Sequence, residues 1–167
     1  NFHHLISVLN GDDAIDIDLG YNGKGQFLFV MMDDQVGDRA IEIDGAISPE
    51  DAQPYTLPNF WNSTFIGGDS ATGSRTAYFK DNAGGQIHNS IFVEFDRGIF
   101  VEDLETDEDS YNRFLNGQIV LANNTFWNFA GNDSAKIFRA EFDYSPAIPQ
   151  DSLVVEEALQ LDFYSRN

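Results

Sequence analysis

The chain contains no cysteine, which removes disulfides, thiolate nucleophiles and cysteine-based zinc sites together. Basic residues are scarce as well: 9 Lys and Arg stand against 28 Asp and Glu in 167 residues, a formal net charge of -19. A field of that sign repels phosphate backbones and anionic lipid, so neither nucleic acid nor a membrane surface is an expected partner. No stretch approaches the roughly 18 consecutive apolar residues of a membrane-spanning helix. Helical periodicity is almost missing. The best run, Ser152 to Leu159 in a terminal segment 145–167, opens with a capping serine and follows Pro149. Asn1 to Ile6 carry neither the basic stretch nor the cleavage pattern of a leader.

What the chain does contain is strand. With 15 Phe, 6 Tyr and 2 Trp it is far from the composition of a disordered polypeptide. Val, Ile, Phe, Tyr and Thr gather in short runs bounded by Gly, Asn and Asp, as strands between turns do. Four runs are variations on one strand: Ala14 to Asp18, Ala40 to Asp44, Thr76 to Lys80 and Gly98 to Glu102. Their starts lie 26, 36 and 22 residues apart, the range in which supersecondary units stack on a shared core. A second strand type alternates with the first. Gly25-Gln26, Gly85-Gln86 and Gly117-Gln118 open hydrophobic runs, and Asn62 to Phe65, Asn89 to Phe92 and Asn123 to Phe126 share an ending.

Alternation in the first strand type puts Ile15, Ile17, Ile41, Ile43, Ala77, Phe79, Ile99 and Val101 on a core side. Asp16, Asp18, Glu42, Asp44, Tyr78, Lys80, Phe100 and Glu102 fall on an outer side, read as a solvated acidic face. Asn62, Asn89 and Asn123 are expected to form a turn ladder in which each amide bonds a neighbour's backbone. The pattern predicts a single-domain, right-handed parallel β-helix of about five coils over 1–167, with loop insertions at 45–58 and 103–116. A β-sandwich or jelly roll is the alternative, disfavoured because its hairpins would show two-residue turn signals.

The run from Gly11 to Phe27, with its Gly-Asp-Asp opening, Asp16, Asp18, Gly20, Tyr21, Gly23, Gly25 and Gln26, resembles a segment of large secreted β-helix proteins of Bacteroidota and related bacteria. Gly37 to Gly45, Ser48 to Asp51, Phe79 to Gly85 and Val101 to Leu104 follow in the same order. The resemblance spans roughly residues 11 to 130. It implies an exported or cell-surface protein, often with a C-terminal sorting domain, and a chain that is a fragment of something longer; it implies no catalytic constellation. Three Asp-Ser-apolar triplets, at Asp69, Asp133 and Asp151, resemble the O-glycosylation signal of such exported proteins.

Chemistry is then a local question. Asp12, Asp13, Asp16, Asp18 and Asn22 have the composition of a calcium loop, since hard cations select clustered oxygen ligands. Glu102, Asp103, Glu105, Asp107, Glu108 and Asp109 form a second acidic cluster, whose mutual repulsion a cation would relieve and a solvated loop would relieve as well. Were the chain an enzyme, Asp16, Asp18, Glu42 and Asp44 would be its carboxylates, because stacked strands bring such residues to the separation of a glycosidase pair. Lyase chemistry would need Arg75, Lys80 and Arg97 to gather. Adjacent His3 and His4 are expected on opposite faces of a strand. Tyr21, Tyr55, Tyr78 and Tyr111 are the candidate glycan contacts, with Trp61 and Trp127 filling corners. The expected function is a non-catalytic scaffold, structural, adhesive or glycan-binding, requiring no cofactor and with calcium as the one stabilising ion considered. Its expected partners are an extracellular glycan, a surface protein or, through open coil ends, itself. The alternative is a carbohydrate-active enzyme, a glycoside hydrolase or polysaccharide lyase.

Overall fold

The computed structural model describes residues 1–68, 75–104, 108–128, 137–141 and 163–165. They form a right-handed parallel β-helix of three sheets, every strand pair parallel. The first sheet stacks Phe2–His3, Lys24–Gln26, Asn59–Trp61, Gly85–His88 and Ile119–Ala122; the second stacks Ile6–Val8, Phe29–Met31, Thr64–Ile66, Ile91–Val93, Asn124–Trp127 and Phe163–Ser165. Asp16–Ile17, Arg39–Asp44, Arg75–Lys80, Arg97–Glu102 and Phe138–Glu141 make the third. The triplets at Asp69, Asp133 and Asp151 and the run Ser152 to Leu159 lie outside the described residues, although Phe163–Ser165 extends the second sheet.

Each sheet sends buried ladders inward. Ile17, Ile43, Phe79, Val101 and Ala140 are in register in the third sheet, as the alternation predicts, and all are buried. In the second, Phe65, Phe92 and Phe126 stack with ring centroids 4.7 and 5.0 Å apart and planes within 9°. In the first, Phe60 lies over Gly25, where a Cβ would come within 2.7 Å of its ring. The glycine is a packing requirement.

The corner between the first and second sheets sets the register. His4, Phe27, Asn62, Asn89 and Asn123 all adopt left-handed backbone, with φ between 54° and 59°, one per coil. This conformation suits asparagine best among non-glycine residues and turns the chain in a single residue. Through the corner the backbone ladder continues, Asn62 N donating to His88 O and Asn89 N to Ala122 O. The asparagines do stack, but the Asn89 amide donates to the side chain of Asn62 (2.7 Å) rather than to backbone. The backbone bonds belong to the next row, Ser63, Ser90 and Asn124, all buried: Ser63 N donates to Ser90 Oγ, and Ser90 N to Asn124 Oδ1. The Gly-Gln pairs are likewise not equivalent positions. Gly25 aligns with Phe60, and Gly85 aligns with Ile119, two residues beyond Gly117.

Of the two insertions, 103–116 carries the one helix among the described residues, Ser110–Leu115, capped by Asp109. The insertions meet: Arg113 stacks on Tyr55 at 3.5 Å from the ring centroid.

Candidate functional site

The outer side of the third sheet is a solvated acidic row only in part: Asp16 and Asp18 are exposed, but the row is buried or half-buried elsewhere. Glu42 is only 9% exposed, with the Arg39 and Lys80 side chains against it, and Glu102 is 5% exposed. Asp16 and Glu42 are in register, as are Asp44 and Lys80, so stacking brings three acids and a base into one patch. Carboxylate oxygens of Asp16, Glu42 and Asp44 lie within 4.8 Å of one another. Lys80 Nζ sits 3.3 Å from Glu42 Oε1 and 3.2 Å from Asp44 Oδ2. Arg39 Nη1 reaches the same Glu42 oxygen at 2.6 Å, without the alignment of a hydrogen bond, and Asp13 at 3.7 Å, while its guanidinium lies over Tyr78.

Burial and crowding show in the protonation of these groups. Asp13 rises to about 7, through desolvation first and the Glu42 charge second, and these outweigh the hydrogen bond from Arg39 N and the Arg39 charge. Asp44 rises to about 6 for the same two reasons, against the pull of Lys80. Asp16 moves up by desolvation and then by Glu42. Burial alone would lower Lys80, but Asp44 and Glu42 raise it above its ordinary value.

This fixes a sign for the pH dependence. Between the ordinary carboxylate value and about 6 to 7, the folded chain holds protons on Asp13 and Asp44 that the unfolded chain has released, so stability falls as pH rises through that window. Urea unfolding between about pH 4.5, just above the ordinary carboxylate value, and about pH 7.5 should show a declining free energy, and Asp13→Asn should flatten the decline. A slope equally steep in Asp13→Asn would contradict the assignment.

The calcium-like set does not assemble as a unit. Asp16 joins Glu42 and Asp44; Asp13 pairs with Arg39; Asp12 and Asp18 are exposed; and the Asn22 amide donates to the carbonyls of Gly20 and Tyr55. The second acidic cluster is spent on backbone and amide contacts. Glu102 accepts from Asp81 N, Asp109 from Leu104 N and Asn112 N, and Glu108 from the Asn82 amide, while Asp103 is buried. Glu105 and Asp107 lie outside the described residues. Arg75 and Arg97 are register neighbours, but Lys80 is at the other end of its strand among the carboxylates, so the three bases do not gather.

The tyrosines have covered faces. Tyr55 lies under Arg113, Tyr78 under Arg39, Tyr111 against Phe114, and Tyr21 folds over Gly23 with its hydroxyl buried. Trp61 stacks on His88 at 5.8 Å, and Trp127 is 49% exposed rather than filling a corner. His3 and His4 do not diverge, since the left-handed turn at His4 brings their Nδ1 atoms to 2.8 Å.

Sequence reasoning missed the counter-charges. Alternation in the sequence puts Lys80 on the outer side without pairing it to the acids and gives no role to Arg39, which directly precedes the repeated strand; Lys80 at the repeat position of Asp44 is the available signal. Residues 1–153 match the family model described as a pectate-lyase-like β-helix domain. No curated protein and no solved structure matches the chain.

Proposed function

The chain belongs to the pectate-lyase-like β-helix domain family, and from that premise we propose that it is a non-catalytic, carbohydrate-binding β-helix scaffold of an exported or cell-surface protein. The observation that carries the non-catalytic reading is Lys80. Its ammonium lies between Glu42 and Asp44, where an attacking water or a metal ion would have to be. A carboxylate held by two cations is a poor nucleophile and base. The acidic, strand-rich composition and the motifs shared with secreted β-helix proteins support export to the Bacteroidota type of cell surface. An extracellular glycan, or a surface protein carrying one, is the partner this reading implies.

The oxygen set of Asp16, Glu42 and Asp44 is chemically suited to calcium, but Lys80 already supplies the positive charge. Calcium would have to displace it, so calcium is a competitor of Lys80 in this reading and no step depends on the ion.

A second reading, a carbohydrate-active enzyme, is favoured by one observation: Asp13 and Asp44 keep protons to about 7 and about 6 within the same patch as Glu42, as a general acid must. A reducing-end assay, with absorbance detection of unsaturated products, separates the two. Incubation with a panel of neutral and acidic polysaccharides should release nothing while affinity gels show retention. Release that disappears in Glu42→Gln or Asp44→Asn with the melt preserved would establish the enzyme instead.

A further inference from the structure

A cleft of about 270 Å³ opens on the first sheet, away from the acidic patch, lined by Asn22, Asn59, Gln86 and Gln118 with Leu57 and the bare backbone of Gly85 and Gly117. None of its lining side chains is charged. Each of the four amides is pinned at one end. Asn22 Nδ2 donates to Gly20 O and Tyr55 O, and Asn59 Nδ2 donates to Leu57 O. Gln118 Oε1 accepts from Arg113 at 3.0 Å, and Gln86 Oε1 pairs with His88 Nε2 at 3.1 Å. In the first three the partner decides which end is oxygen and which nitrogen.

The other ends have no partner among the described residues: two carbonyl oxygens, on Asn22 and Asn59, the NH2 group of Gln118 and, when His88 Nε2 carries the proton, the NH2 group of Gln86. An anion would require donors alone and a metal ion acceptors alone. Two fixed acceptors, one fixed donor and a Gln86 amide whose orientation follows the His88 tautomer, with no charge, match hydroxyl groups, which both donate and accept. The volume is just below the roughly 300 Å³ at which sites for drug-sized ligands begin, so it suits one small ring. The faces of Trp61 and His88 are turned to each other, with Lys24 Nζ 5.8 Å from the Trp61 ring, so recognition here falls to the amides.

We infer that this cleft is a binding site for a neutral sugar unit, its hydroxyls held by Asn22, Asn59, Gln86 and Gln118. Arg113 is its positioning residue: it holds Gln118 directly and stacks on Tyr55, whose carbonyl holds Asn22. The inference rests on the carbohydrate-binding reading and names the site and ligand class for it.

The test is a titration of the ¹⁵N-labelled chain with xylobiose, cellobiose and mannobiose, and with a galacturonate dimer as the anionic counterpart. At least one neutral disaccharide should shift the side-chain amide signals of Gln86 and Gln118. Gln118→Glu keeps the acceptor for Arg113 but loses the free donor, and should weaken binding about tenfold, as should Gln86→Glu. Gln35→Glu, an equal charge change at an exposed turn, should leave it unchanged. Equal affinity in all variants, or tighter binding of the galacturonate dimer, would overturn the cleft assignment. If no disaccharide binds while polysaccharide gels still retain the chain, the cleft falls alone; if the gels retain nothing either, the carbohydrate reading falls with it.

Discussion

Replacing Phe92 with alanine should destabilise the fold by about 3–5 kcal/mol, the range for emptying a buried aromatic position. Phe92 is fully buried and has a phenylalanine stacked on each face, Phe65 at 4.7 Å and Phe126 at 5.0 Å, so one truncation removes two ring contacts. Relaxation is restricted. The flanking residues are fixed by parallel pairing to the strands on both sides, which keeps the neighbouring rings from closing on the void. Urea unfolding followed by aromatic fluorescence measures the loss, and Phe92→Leu should recover part of it. A loss below about 1 kcal/mol, far short of the aromatic range, would mean that the ladder contributes shape but little cohesion.

Lys80→Met should cost about 1–3 kcal/mol near pH 8, the penalty for leaving a partly buried charged group without its partner. The ammonium separates Glu42 from Asp44, and without it those carboxylates face each other with Arg39 touching only Glu42. At pH 5 the cost should shrink. Asp44 holds its proton up to about 6 even with Lys80 present, and losing the cation can only raise that value. Adding Asp44→Asn to Lys80→Met should therefore restore much of the stability at pH 8 and little at pH 5. Equal losses at both pH values would show that the lysine acts through the packing of its methylene stem.

Much of the architecture was legible because the inward ladder repeats in kind. Ile15, Ile17, Ile41 and Ile43 alternate without interruption, and the endings Thr64-Phe65, Ile91-Phe92 and Thr125-Phe126 are the pairs that align in the structure. The Gly-Gln pairs misled. A glycine there can open a strand or make room for a ring, as Gly25 does for Phe60, and only the corner register distinguishes the two. The outer face was less legible, since an acid's burial depends on which side chain the next coil lays over it. Glu42 and Asp16 are register partners with nearly the same chemistry, yet one is buried under Arg39 and Lys80 and the other is exposed. The amide cleft left no signal in any single segment. Asn22, Asn59, Gln86 and Gln118 come from four coils, and two insertions distant in sequence fix Asn22 and Gln118 through Tyr55 and Arg113.

The corner residues His4, Phe27, Asn62, Asn89 and Asn123 are separated by 23, 35, 27 and 34 residues, yet each marks one coil. Height along the axis is therefore metered by strand spacing, about 4.8 Å per coil, and not by the amount of chain consumed. The molecule behaves as a ruler with fixed graduations and arbitrary lengths of thread between them. A segment spliced into 45–58 or 103–116 changes what hangs from a graduation and leaves the distance between graduations alone, so side displays can be exchanged without re-registering the rest.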